Sequence, residues 1–123
     1  MTRVIVAGSR NFTNKKWLYE VLDNCLANIG DDVEIISGHC RGADMLGEQY
    51  AKEHNIPVVL FPADWGKYGK KAGYIRNDKM AKYASEKNGI LVAFPIGKSS
   101  GTNMMIRLAH DYDLETDVHY SLG

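Results

Sequence analysis

The chain has 123 residues, a common single-domain size, and is 45% hydrophobic and 24% charged, which argues against both a disordered and a membrane-spanning protein. Fifteen Lys and Arg balance fifteen Asp and Glu, so no global field draws a polyanion, and nucleic-acid binding would need a local patch. Met1-Thr2-Arg3 leads straight into a short apolar run, without the longer apolar stretch of a secretory signal, and no run reaches spanning length. The expectation is therefore a cytoplasmic protein with no membrane partner.

Val4 to Ala7 is a continuous apolar run that stops at Gly8, as in a strand buried on both faces of a parallel sheet. Past the loop Gly8 to Asn14, apolar residues recur at Trp17, Leu18, Val21, Leu22, Cys25, Leu26 and Ile29, the spacing of one helical face, and Gly30 ends the run. Val33 to Ile36 reads as a second strand, Ser37 to Gly42 as a loop and Ala43 to Asn55 as a second helix. Pro57 to Phe61 forms a third strand, and Pro62 to Lys71 is a longer loop rich in aromatic and basic residues. A helix over about 72–87, a strand over 89–94, a loop over 95–100, a helix over about 101–112 and a weak strand over about 117–120 complete the chain. Strand and helix alternate, which predicts a three-layer α/β domain, residues 1–123, with helices on both faces of a mainly parallel five-stranded sheet. Ligands of such sheets sit at the carboxyl ends of the strands, where the winding direction reverses.

The loops after the strands carry the chemistry. Gly8-Ser9-Arg10 offers close backbone approach, a hydroxyl and a guanidinium fork, a set that suits an anion, although the segment also reads as a turn with Thr13 or Asn14 capping the next helix. Ser37-Gly38-His39-Cys40-Arg41-Gly42-Ala43-Asp44 runs directly into a helix, whose exposed amides and dipole favour negative charge. Asp44 would accept from a ribose hydroxyl, or simply suits a first helical turn. His39 and Cys40 are adjacent and lack a third partner, so thiol catalysis gains little support. In the third loop Trp65, Tyr68 and Tyr74 could stack on a base while Lys67, Lys70 and Arg76 meet phosphates, and Asp64 and Asn77 flank them. In the fourth, Ser99, Ser100, Gly101 and Thr102 resemble a phosphate cradle, although both the P-loop and the G-x-G-x-x-G patterns are absent. The four histidines have no i, i+4 pair and the two cysteines cannot complete a Cys-only zinc site, so neither a metal nor a cofactor is expected and both thiols read as free.

In this order the motifs are specific. Gly8-Ser9-Arg10, Ser37-Gly38-x-x-Arg41-Gly42-Ala43-Asp44, Ala63-Asp64-Trp65 with Gly69-Lys70 and Ala72-Gly73, Arg76-Asn77-x-x-Met80 and Ser100-Gly101-Thr102 together resemble the YspA/YpsA-related branch of the SLOG superfamily. The resemblance implies a Rossmann-like fold, a strand order of 3-2-1-4-5, and recognition of a nucleotide or nucleotide-derived molecule. It also implies that His39, at a position more often small in the family, narrows the crevice. The related LOG-type phosphoribohydrolases resemble the chain more remotely. Of their Pro-Gly-Gly-x-Gly-Thr-x-x-Glu pattern only Gly101-Thr102 remain here, and Met105 stands at the position of the catalytic Glu. A thioether neither accepts a proton nor stabilises an oxocarbenium-like centre.

Three functions are thus in view. The first is binding or sensing of a nucleotide-like small molecule through Gly8, Ser9, Arg10, Ser37, Gly38, Arg41, Gly42, Asp44, Asp64, Trp65, Tyr68, Arg76, Asn77, Ser99, Ser100, Gly101 and Thr102. The second is nucleoside 5'-monophosphate phosphoribohydrolase activity, with Asp44, Asp64 or Asp78 in place of the missing Glu. The third is single-stranded nucleic-acid binding, which the even charge balance argues against. Helical faces bearing Trp17, Tyr83 or Met104 either support a homo-oligomer or belong to the core.

Overall fold

The computed structural model describes residues 1–121. Its elements run β1 (Thr2–Gly8), α1 (Lys15–Ile29), β2 (Val33–Ser37), α2 (Ala43–Glu53), β3 (Val58–Leu60), α3 (Trp65–Tyr68), a 3₁₀ turn (Gly69–Lys71), α4 (Ala72–Ser85), β4 (Asn88–Phe94), α5 (Ser100–Asp111) and β5 (Glu115–Val118). All four strand pairings are parallel, and the order is β3-β2-β1-β4-β5. The fold is thus the three-layer, Rossmann-like α/β arrangement that the alternation and the resemblance implied.

The continuous apolar runs divide between two cores because successive strand residues face opposite sides. Val4, Val6, Ile35, Val92 and Phe94 point toward α1 and α2 and form one cluster with Leu18, Leu22, Tyr50 and Ala51. Ile5, Ala7, Ile36, Leu91 and Ala93 point the other way and pack with Met80, Ala84, Met105 and Leu108 of α4 and α5. Each fully buried Ile or Leu contributes about 1.5–3 kcal/mol relative to exposure, so the sheet is the stable frame on which the loops stand.

Trp17 packs in the first cluster, 5.8 Å from Phe94 edge-on, and Met104 against the second. Tyr83 lies beneath the Arg3 guanidinium, 3.6 Å from its ring centre, at the amino ends of the strands. All three side chains therefore serve packing within the chain. The stretch read as a plain loop, residues 62–71, contains α3 and the 3₁₀ turn, because the Asp64 side chain accepts from the Lys67 amide at 3.1 Å and starts a helical turn. The last strand begins at Glu115, two residues before its expected start, since parallel pairing of Ile90 with Glu115 sets its register rather than hydrophobicity. Among the described residues no helix is long and apolar enough to cross a membrane, and both cysteines are free.

Candidate functional site

With β1 and β4 adjacent, the chain moves outward to one side after β1 and to the other after β4, so the loops following these two strands face each other. Gly8 and Phe94 are register partners, and the Ser9 amide donates to the Phe94 carbonyl at 3.1 Å, which brings the two loops together. A Cβ on Gly8 would lie 2.6 Å from that same carbonyl oxygen and 2.7 Å from the Ala43 Cβ. Only glycine permits this approach of β1, β4 and α2.

Above this junction opens a cleft of about 520 Å³. Gly8, Ser9 and Arg10 line one side and Lys98, Ser99, Ser100, Gly101 and Thr102 another. Trp65, Lys70 and Tyr74 close it from the α3–α4 segment. Among the described residues no side chain caps α5; the Ser99 hydroxyl donates instead to the Thr102 hydroxyl at 2.9 Å. The first-turn amides of α5 are thereby left without a side-chain acceptor at the cleft wall, an arrangement suited to an anion. Trp65 and Tyr74 are half exposed, at 51% and 52%, although large rings normally seek burial. Met80, Met104 and Met105 add apolar lining to the cleft.

Arg76 and Asn77 line the cleft as expected, but their polar atoms are largely engaged with the protein. Arg76 donates through Nη1 to the Gly38 carbonyl at 2.7 Å and to Cys40 Sγ at 3.4 Å, and through Nε to Asn77 Oδ1 at 2.7 Å. Asn77 Nδ2 in turn reaches the Gly101 carbonyl at 3.5 Å. The pair ties the β2 loop to the start of α5 across the cleft floor. A Cβ on Gly38 would lie 2.7 Å from Arg76 Nη1, which explains the glycine there without a ligand.

Asp44 is 5% exposed and is the carboxylate that lines the cleft. Its Oδ2 accepts from the Cys40 amide at 3.3 Å. Burial raises its pKa to about 6, with the Cys40 and Gly8 amides and the Arg76 charge pulling the other way and Glu48 adding to the rise. Cys40 also lines the cleft, beside Arg76.

Other expected residues fall elsewhere. Ser37 is buried and donates to Glu48 at 2.6 Å, and Gly42 holds a left-handed backbone at φ 89° beneath the Ser9 carbonyl. Arg41 is exposed and does not line the cleft. Asp64 and Tyr68 line a smaller hollow of about 180 Å³ against β3, where Lys67 and Lys79 sit over the Tyr68 ring at 5.1 and 5.7 Å. His39 does not narrow the cleft; its Nδ1 lies 3.0 Å from both Glu48 carboxylate oxygens, which turns the ring outward. This Ser37–Glu48–His39 chain was not anticipated, because Glu48 lies on α2 and no local spacing connects it to the loop. Among the described residues no group of three His, Cys, Asp or Glu side chains is arranged to hold a metal ion.

An all-parallel sheet with its cleft at the switch point between β1 and β4 defines a Rossmann-like α/β protein. The family described as YspA, cpYpsA-related SLOG matches residues 2–68. Over 114 residues the chain is 32% identical to the Gene 61 protein of Mycobacterium phage D29, covering 89% of each chain. The chain belongs to this YspA-related SLOG family.

Proposed function

We propose that the chain binds a nucleotide or nucleotide-derived phosphate ligand in the cleft at the carboxyl ends of β1 and β4, and that residues 1–123 act as one domain, since one sheet extends from Thr2 to Val118. The observation that carries the reading is the convergence of an uncapped α5 start, the Arg10 side chain and two half-exposed aromatic rings on one cleft. The phosphate rests on the Ser99–Thr102 turn and Ser9, with Arg10 supplying charge-assisted donors. The base packs on Trp65 or Tyr74, as exposed rings beside a charged pocket permit. Arg76 and Asn77 hold the walls in place, and Ser37, Gly38 and Gly42 shape the loop behind them. Family membership supports a nucleotide-related ligand.

Binding is favoured over nucleotide hydrolysis because Met105, at the position where LOG-type enzymes carry their acid, is 1% exposed, and its apolar side chain at the cleft lining can act as neither acid nor base. Calorimetric titration against AMP, cyclic AMP and ADP-ribose should show saturable binding of at least one of them. Arg10→Ala should weaken it about tenfold or more, the worth of one charge-assisted hydrogen bond. Silence across the panel, with Arg10→Ala indistinguishable from wild type, would count against the proposal.

A further inference from the structure

Resting on the binding reading above, we infer that the cleft selects a ligand with a diphosphate or longer phosphate chain over a monophosphate, because three uncompensated cations, Arg10, Lys70 and Lys98, line it from three separate connections. Several basic side chains lie in or near this region, and the structure separates the engaged from the free. Arg76 is committed to the Gly38 carbonyl, to Asn77 and to the charge of Asp44. Lys67 and Lys79 rest over the Tyr68 ring beside the neighbouring hollow. Among the described residues, Arg10, Lys70 and Lys98 take part in no ion pair or side-chain hydrogen bond. All three are exposed and all three line the cleft.

Three like charges around one concave surface raise its potential, and the ligand that relieves it best carries a matching negative charge. A phosphate monoester carries about −1.5 to −2 at neutral pH, and adding an inner phosphoryl group brings the total to about −3. A monophosphate therefore leaves one cation unmatched, whereas a terminal diphosphate, as in ADP, meets all three. Among the described residues the one carboxylate that lines the cleft, Asp44, is buried and its charge is felt by that of Arg76, so it does not reduce this excess. The cleft volume of about 520 Å³ leaves room for a chain of phosphates together with a base.

The test compares AMP with ADP, and inorganic phosphate with inorganic pyrophosphate, by calorimetry in EDTA at low salt, so that protein cations alone meet the phosphates. ADP should bind at least about tenfold more tightly than AMP, and pyrophosphate should outcompete phosphate by a similar factor. Lys98→Gln and Lys70→Gln should each lower ADP affinity several-fold more than AMP affinity, and raised salt should narrow the gap. Both positions are exposed, so circular dichroism should show an unchanged fold. Equal affinity for AMP and ADP overturns the inference and leaves nucleotide binding standing; no binding of AMP, ADP or either inorganic anion removes both.

Discussion

Gly42→Ala should destabilise the chain by about 3 kcal/mol or more and lower Tm by roughly 10 °C or more, a large share of the total stability of about 5–15 kcal/mol typical of such a domain. Two costs add. The backbone at residue 42 has φ 89°, a conformation that penalises any Cβ by about 1–2 kcal/mol. The new methyl would also fall on the Ser9 carbonyl and come within 2.8 Å of the Arg10 backbone. Neither neighbour can yield easily, because the Ser9 amide is held by Phe94 and the Ser9 carbonyl receives the Phe12 and Ala43 amides at 3.1 and 3.4 Å. Relief by moving the Ser9-Arg10 loop would open the cleft wall, so ligand affinity should fall with stability. Gly66→Ala is the control: its nearest foreign atom would be Asp64 Oδ1 at 3.7 Å, and φ there is not positive, so a change within about 0.5 kcal/mol is expected. Urea unfolding of both variants measures the contrast, and a Gly42→Ala protein within 1 kcal/mol of wild type would refute the packing argument.

Asp44 should make stability fall as pH rises. Its folded pKa is raised to about 6 from an ordinary value of 3.8, so the folded state holds a proton that the unfolded state has released between these values. The stabilising contribution is complete below pH 3.8 and is lost as pH climbs through 6, with an upper bound of roughly 3 kcal/mol set by the size of the shift. Asp44→Asn keeps the shape of the protonated acid and should remove this dependence. The variant should match wild type near pH 4 and exceed it by about 1–2 kcal/mol at pH 7.5. Other carboxylates add their own slopes, but these cancel in the difference between the two proteins. Arg76→Ala should act in the opposite direction. It strands a buried carboxylate and removes donors from the Gly38 carbonyl and Asn77, so a loss of about 2–4 kcal/mol is expected at pH 7.5, partly recovered at pH 5 where Asp44 takes up a proton. Parallel pH slopes for wild type and Asp44→Asn would show that this group does not titrate as argued.

β1, β2 and β4 were legible because each is a short, largely apolar run closed by glycine, proline or a polar turn, and burial on both faces leaves no alternation to misread. β5 was the weakest because its residues Glu115, Thr116, Asp117 and Val118 alternate between exposed and half-buried at an open edge, so pairing rather than composition determines its limits. The strand order came with the family resemblance, not with the periodicity, since the hydrophobic pattern does not distinguish one neighbour from another.

Within the site, the residues that follow β1 and β4 were legible from loop chemistry, and Gly8, Ser9, Arg10 and Ser99 to Thr102 do meet in one cleft. Arg76 shows where such reading stops. A guanidinium near a glycine-rich loop looks the same in sequence whether it faces a ligand or the Gly38 carbonyl, and that partner is 38 residues away. Asp64 and Tyr68 line the neighbouring hollow for a related reason: the Asp64 side chain is used to start α3, the four-residue helix that ends at Tyr68, and nothing in the local spacing shows this.

The clamp formed by Arg76 and Asn77 has a consequence for how this chain can diversify. It secures the start of α4 to both halves of the sheet, while at the other end the Phe61 amide is bonded to the Ser37 carbonyl at 2.8 Å. The intervening stretch, residues 62–71, thus hangs between two fixed posts, and it carries Trp65 and Lys70 into the cleft without contributing to either core. Grafting a different stretch of similar length between those posts would change what the cleft recognises and leave the scaffold's folding untouched.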